Sequence, residues 1–429
     1  MPELINITDN NRLQLFFAAF RERNAAFDAA LLARVGAIID EVRTGGDAAL
    51  LELTARFDGV KLTAAELRAP AGELRAAAAL APDEVREALR LAIRRLRVFH
   101  ERQREESWSF TDETGAILGQ RVRPLASVGL YVPGGTASYP SSVLMNVIPA
   151  QVAGAQRIAV ATPPRAWREN PALAAALVEL GVTEIYQIGG AQAIAALAFG
   201  TESVPRVDKI TGPGNKYVTA AKKLVFGAVG IDSLAGPSEV VIIADETAQP
   251  SYVAADMLAQ AEHGEDASAI LLTTRETLAR AVINEINKQL AVLPRQAIAA
   301  ASLRNFGAVI VVEELAQACL IADQLAPEHL EIMTADAREL AEKINHAGAI
   351  FVGAYTPEAL GDYLVGPNHV LPTGGTARFA SALGVYDFVK RTSLLEFSPE
   401  AMRRLAAPVE ILACSEGLQG HAQAAAARL

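Results

Sequence analysis

An α/β protein built from two parallel-sheet units facing a cleft is the fold class this sequence predicts, and three observations predict it. From Val128 onward, short apolar runs alternate with stretches of helical periodicity, the pattern of strands joined by crossover helices. The alternation begins again after Gly236-Pro237 and gives a second series of similar size. Glycine-rich turns join the strands of the first series to their helices, as at Ile188-Gly189-Gly190-Ala191-Gln192. Ligands of open α/β sheets sit beyond the carboxyl ends of the strands, so two facing sheets imply a cleft between them.

In chain order, residues up to about Ser107 read as helical. Ala29 to Thr54 carries an apolar stripe broken at Gly45-Gly46, and Pro82 to Glu106 a long amphipathic pattern opening with Pro-Asp-Glu, a first-turn signature. Ser109 to Arg123 alternates around Glu113-Thr114-Gly115 and predicts a β-hairpin. The first α/β series predicts strands at Val128–Val132, Arg157–Ala161, Glu184–Ile188 and Val207–Ile210. Helices are predicted between them at Tyr139–Ala155, Pro171–Leu180, Ala191–Phe199 and Asn215–Phe226. The second predicts strands at Glu239–Ala244, Ala267–Thr273, Phe306–Val312, Leu330–Thr334 and Ala349–Val352. A Gly/Pro-rich loop, Thr356 to Gly375, leads to a tail from Arg378 to Leu429 that reads as mostly helical. That tail is too short to bury a core alone and must pack on the body or on a partner chain.

Composition narrows the function. With 429 residues, 51% apolar and 21% charged, the chain predicts a soluble protein of two or three domains. Lys plus Arg number 39 against 49 Asp plus Glu, a net charge of -10, which argues against a nucleic-acid or anionic-membrane partner. The start, Met1-Pro2-Glu3-Leu4-Ile5-Asn6, has no basic stretch followed by an apolar one, so no secretory signal is expected. No apolar run is long enough to span a bilayer. The two cysteines, Cys319 and Cys414, lie far apart and form no CxxC, which suits a reducing cytoplasm.

The chemistry concentrates at Leu325-Ala326-Pro327-Glu328-His329-Leu330-Glu331. A proline that must stop the preceding helix is followed by a carboxylate and an imidazole, two general bases suited to a reaction that moves more than one proton. Four of the six histidines, His263, His329, His346 and His369, sit beside acids, glycines or prolines at element ends. Gln260 and His263 lie three residues apart and share a helix face, while Asp362 and His369 share the Gly/Pro loop. These are N and O donors suited to a metal, but without HExxH or Cys/His spacing, and a helix-end His also caps carbonyls. Ile210-Thr211-Gly212-Pro213-Gly214-Asn215 joins a strand to a helix. Its glycines suit an anion at the helix start or a plain turn, and it is not a GxGxxG fingerprint because Tyr217 takes the third glycine's place. Cys319 reads as a buried inert thiol, Cys414 is no better placed as a nucleophile, His100 reads as solvated, and His346 reads as a cap.

Ordered segments then carry a resemblance. They are Val128-Gly129-Leu130-Tyr131-Val132-Pro133-Gly134-Gly135, Gly189-Gly190-Ala191-Gln192-Ala193-Ile194, Gly212-Pro213-Gly214-Asn215 and Ala235-Gly236-Pro237-Ser238-Glu239. Gln260-Ala261-Glu262-His263-Gly264, Ala326-Pro327-Glu328-His329-Leu330, Gly366-Pro367-Asn368-His369-Val370-Leu371-Pro372-Thr373, and Ser415-Glu416-Gly417-Leu418 with His421 continue the series. On these residues nearly the whole chain resembles the histidinol dehydrogenases, with one small departure, Gly420 where alanine is expected.

The resemblance implies oxidation of L-histidinol to L-histidine in two NAD-dependent steps, through histidinal kept on the enzyme. It implies that His329 takes the hydroxyl proton and Glu328 activates water. Tyr131, Gln192 and Asn215 match the NAD positions. Gln260, His263, Asp362 and His421 match the ligands of one zinc ion per subunit. These four also belong to the substrate set, together with Ser238, His329, His369 and Glu416. The fold it implies is two Rossmann-like parallel-sheet domains with small helical N- and C-terminal segments, in a homodimer with intertwined tails. The expected division is an N-terminal helical segment over 1–25 and a discontinuous first domain over 26–127 and 237–377. An NAD-side domain over 128–236 and a tail over 378–429 that serves the dimer partner complete it.

Two other classes share parts of this pattern. A thiol-dependent aldehyde dehydrogenase has paired α/β units but needs an accessible nucleophilic cysteine, which neither Cys319 nor Cys414 provides. A two-lobed binding protein would have no need of Glu328 and His329 together.

Overall fold

The computed structural model describes residues 1–24, 27–134 and 139–429. The strands in chain order are β1 (Glu3–Asn6), β2 (Trp108–Thr111), β3 (Ile117–Pro124), β4 (Ser127–Tyr131), β5 (Arg157–Thr162), β6 (Glu184–Gln187) and β7 (Lys209–Thr211). They continue as β8 (Gly230–Ile231), β9 (Glu239–Ala244), β10 (Ser268–Thr273), β11 (Ala308–Val311), β12 (His329–Met333), β13 (Ala349–Val352) and β14 (Val389–Glu396). Two parallel sheets result, one ordered β6-β5-β4-β7-β8 and the other β1-β11-β10-β9-β12-β13. The two α/β series therefore fold as the alternation predicts, with strand bounds within a few residues. Gly135 of the first glycine-rich loop, and residues 25 and 26 at the expected domain boundary, lie outside the described residues.

The central strands show why apolar runs become strands here. Every residue of β9 and β10 is buried, because helices cover both faces of the sheet. Successive side chains alternate between two cores. Val240, Ile242 and Leu271 meet Met257 and Ile286 on one face. Val241, Ile243 and Leu272 meet Phe17, Phe20 and Ile321 on the other.

Four expectations are corrected. The N-terminal segment is not wholly helical: β1 pairs in parallel with β11, Ile5 opposite Ile310, and only then does the helix Asn10–Asn24 begin. Four residues are too few to show an alternation in sequence. The grouping of 26–127 with 237–377 also differs from the packing. The helix Ala29–Asp58 lies on helices Gly190–Phe199 and Lys216–Val225 of the five-stranded unit. Leu31, Val35, Leu50 and Leu53 share a core there with Ile194 and Leu197. The helix Asp83–Glu101 likewise packs on Pro140–Ala153. Third, the mostly helical tail also carries a strand: β14 pairs antiparallel with β3, Glu396 opposite Ile117, in a sheet ordered β14-β3-β2. Its residues are nearly all exposed, so no apolar alternation marks it. The hairpin of β2 and β3 forms as predicted, its turn held by Asp112 Oδ1, which accepts from the Thr114 and Ala116 N–H groups at 2.8 and 3.0 Å. No helix among the described residues is long and apolar enough to cross a membrane.

The fourth correction is His100, which is fully buried rather than solvated. Its Nδ1 donates to Gln103 Oε1 at 2.8 Å, and Nε2 accepts from Asn368 Nδ2 at 3.4 Å. Asn368 also donates to the Met145 carbonyl at 2.6 Å, so this neutral ring braces the loop that carries His369. Burial pulls the His100 pKa below the usual imidazole range. Between the folded and unfolded pKa the unfolded chain binds the extra proton, so stability rises with pH there and is lost as pH falls below about 6.5. The melting temperature of the wild type should therefore drop more steeply from about pH 7 to about pH 5 than that of His100→Gln. Parallel profiles would show that His100 contributes no such linkage.

Candidate active site

A proline shapes the turn that delivers the paired bases. Pro327 cannot extend the helix Leu315–Leu325. Ala326 closes that helix in a left-handed conformation, φ 47°, which costs a residue with a Cβ about 1 kcal/mol. The chain then lays His329 down as the first residue of β12, in register with Val240 of β9.

Glu239, the first residue of β9, holds both bases. Its N–H donates to Glu328 Oε2 at 3.0 Å, and its carbonyl accepts from His329 Nδ1 at 3.1 Å. Its carboxylate pairs with Arg23 at 2.8 Å, with both side chains 1% exposed. Arg23 Nη2 donates to the Ser238 carbonyl at 2.8 Å, so the N-terminal helix braces the cleft rim.

With the proton on Nδ1, the lone pair of His329 is on Nε2. That atom is buried without a hydrogen-bond partner among the described residues, 3.8 Å from Asp362 Oδ1. Burial pushes the His329 pKa down to about 4, so the ring is neutral at physiological pH. The same burial drives Glu328 well above the usual carboxylate range, with repulsion from Glu239 and Asp362 adding to it. Asp362 Oδ1 also lies 3.7 Å from His369 Nδ1, and burial lowers the His369 pKa as well.

A donor cluster adjoins these bases. Ligand atoms of His263, Glu358 and Asp362 lie within 4.8 Å of one another. His263 Nδ1 donates to the Ala259 carbonyl at 3.0 Å, which leaves Nε2 with its lone pair. Gln260, at the end of the helix Pro250–Ala261, is fully buried. Oriented by its partners, its Nε2 donates to both Glu358 carboxylate oxygens, at 2.7 and 2.9 Å. Gln260, His263 and Asp362 thus come together as N and O donors without thiolate, a set that fits a zinc-sized divalent cation. His421 and Glu416 do not join them: both are exposed, at the terminal helix and just before it, and neither lines the cleft.

The cleft has a volume of about 680 Å³ and is lined by Glu328, His329, Asp362, His369 and Ser238 on one side. Pro133, Gly134, Pro213, Gly214 and Asn215 line it on the other. The five-stranded sheet presents the carboxyl ends of β4 and β7, as expected. The six-stranded sheet does not: Ser238, Asp266 and Glu328 precede β9, β10 and β12, so its amino ends face the cleft. The helix Pro250–Ala261 runs back antiparallel to β9, which brings Gln260 and His263 to that same end.

On the five-stranded side, the Tyr131 hydroxyl accepts from the Gly190 N–H at 3.0 Å, and burial pushes its pKa up to about 12. Gln192 is buried beside Asp58, with Nε2 3.4 Å from Oδ2. Asn215 caps the helix Lys216–Val225, its Oδ1 accepting from the Tyr217 and Val218 N–H groups at 3.0 and 3.2 Å. The loop before it is rigid. Gly212 has φ 114°, and a Cβ there would stand 2.1 Å from the Tyr131 carbonyl oxygen, so only glycine fits. Its N–H donates to Asp232 at 2.8 Å and its carbonyl accepts from Lys222 at 3.0 Å, these two side chains forming a buried ion pair.

Sequence reasoning missed Arg23, Glu239 and Glu358. A signal existed for two of them. Glu239 is a charged residue heading an otherwise apolar strand, and Glu358 lies one helical turn before Asp362.

The family model described as histidinol dehydrogenase matches residues 21–429. A histidinol dehydrogenase of Geobacillus kaustophilus is 55% identical over 393 residues, 91% of this chain and 92% of its own length. One of Syntrophotalea carbinolica is 54% identical over 395 residues, 92% of each chain. The crystal structure of histidinol dehydrogenase from Elizabethkingia anophelis superposes with a TM-score of 0.89 at 38% identity, covering 94% of this chain and 92% of that one. By sequence and by fold, this chain belongs to the histidinol dehydrogenase family.

Proposed function

We propose that this chain oxidises L-histidinol to L-histidine through bound L-histidinal, in two successive NAD-dependent hydride transfers of histidine biosynthesis. The observation that carries the reading is the neutral His329, its bare Nε2 in the cleft, next to the raised carboxyl of Glu328. In the first step the alcohol loses its hydroxyl proton to His329 Nε2 and a hydride from carbon. In the second, water adds to the aldehyde as Glu328 takes one of its protons, and the hydrated carbon gives up the second hydride to become a carboxylic acid, which releases its remaining proton to solvent as the carboxylate. When bound, NAD accepts the hydrides and zinc holds the substrate's nitrogen donors.

Gln260, His263 and Asp362 would hold the zinc together with the partner's His421, and Ser238, His369 and the partner's Glu416 would complete the substrate site. Tyr131, Gln192 and Asn215 would receive NAD in or beside the glycine-rich loops of the five-stranded sheet. Two features support a homodimer with exchanged tails: the exposure of Glu416 and His421 away from the cleft, and the exposed Leu395, Ile411 and Leu412 on the tail.

Prolonged chelation should abolish activity, and zinc should restore it; manganese or cobalt should restore part of it, because N/O donors discriminate weakly among these ions. Full turnover by a preparation shown by metal analysis to be metal-free would sink the zinc site.

Glu328→Gln should slow oxidation of supplied histidinal more than oxidation of histidinol to the aldehyde, by about a hundredfold to ten-thousandfold. His329→Ala should hurt the alcohol step at least as strongly. Equal and mild losses in both half-reactions of Glu328→Gln would make Glu328 a structural acid.

The exchanged tail is tested in a mixed dimer of one His329→Ala subunit and one His421→Ala subunit, each inactive as a homodimer. If the tail acts in trans, one site carries both lesions and the other none, and about half the wild-type activity returns. A purified mixed dimer that stays inactive would return Glu416 and His421 to the site of their own chain.

A further inference from the structure

We propose that Glu358 is the positioning residue of the metal site: its carboxylate holds the amide nitrogen of Gln260, so that Gln260 can offer only its oxygen to a cation. The inference rests on the zinc reading above. A glutamine side chain carries one oxygen and one NH₂ group of nearly the same shape, and only the oxygen ligates a metal. Nothing in Gln260 itself selects between the two orientations. Glu358 does, because both its oxygens stand against the same amide atom, at 2.7 and 2.9 Å, and at least one of them carries no proton: only Nε2 can donate to both, and the reverse orientation would set oxygen against oxygen.

The surroundings fix Glu358 in that role. It is 2% exposed, and its own N–H donates to Glu331 Oε1 at 2.7 Å. It opens the short helix Glu358–Tyr363, so the element that sets its place also sets that of Asp362 one turn later. One of its oxygens lies 3.7 Å from His329 Nδ1, which links the donor cluster to the general base. Glu358 also stands close enough to His263 and Asp362 to be taken for a ligand itself. The two roles predict different couplings.

The test is zinc affinity of the chelator-treated full-length protein, read by competition with a chromophoric chelator, with the melting temperature of the metal-free form as a check on folding. Glu358→Ala and Gln260→Ala should each weaken zinc binding by about ten- to a hundredfold. The double variant should be no weaker than Gln260→Ala alone, because Glu358 acts through that amide. A swap gives the second arm. In Gln260→Glu with Glu358→Gln, the new amide donates to the new carboxylate, and affinity should recover above that of either single change. If Glu358→Ala does not fold, the swap alone decides. Additive losses in the double variant, or a swap no better than its parts, would overturn the role and make Glu358 a ligand or a packing residue. A wild type that binds zinc no better than Gln260→Ala removes the metal reading itself, and the proposal falls with it.

Discussion

The site depends on one residue that does no chemistry, Glu239. Its N–H, carbonyl and carboxylate each fix a different partner: Glu328, His329 and Arg23. Two of these bonds come from the backbone at the first residue of a fully buried central strand, among the least mobile positions a sheet provides. The third is a buried ion pair, in which loss of either partner would leave an uncompensated charge and cost about 3–5 kcal/mol. The N-terminal helix is therefore part of the active-site structure although it supplies no reacting group. Its arginine neutralises the carboxylate whose backbone aligns both bases.

The two sheets serve the cleft with opposite ends, and each end suits its task. The carboxyl ends of β4 and β7 lead into glycine loops that bring backbone close to a ligand, and the Lys222–Asp232 pair locks one of them around Gly212. Such loops fit an extended, phosphate-bearing cofactor. The amino ends of β10 and β12 instead receive the chain as it leaves helices, and those helix ends carry the side-chain donors: Gln260 and His263 at the end of one, Glu328 and His329 after another. Side-chain donors are concentrated on one wall and glycine-rich backbone on the other.

This division explains what the sequence disclosed. Strands such as Glu239–Ala244 and Arg157–Thr162 were legible because both faces are buried and the apolar run is continuous. The strand Val389–Glu396 was not, because its side chains are almost all exposed and its identity comes from pairing with β3, distant in sequence. The turn at Pro327 and the Glu328-His329 pair were readable because proline acts locally. Arg23 could not be found this way, since its partner Glu239 lies more than two hundred residues away. His100 was misread for a related reason. Its arginine- and glutamate-rich helix reads as solvated, although His100 lies on the same stripe as the buried Leu89, Ala92 and Leu96, and its partner Asn368 reaches it from a loop distant in sequence.

Burial accounts for the pairing of two unlike bases. Removing water disfavours the charged form of either group, so it lowers the affinity of an imidazole for a proton and raises that of a carboxyl. His329 falls to about 4 and Glu328 rises well above the ordinary range, although they are neighbours under the same cover. One dry pocket thus keeps His329 unprotonated and ready to accept a proton, and makes Glu328 a stronger base than a solvated carboxylate. Adjacent residues of a strand start point to opposite faces, yet the turn before β12 keeps Glu328 outside the strand and within 3.8 Å of the His329 ring. Two titratable groups that respond to burial in opposite ways therefore stand side by side in the cleft wall, which suits the two proton transfers of the proposed reaction.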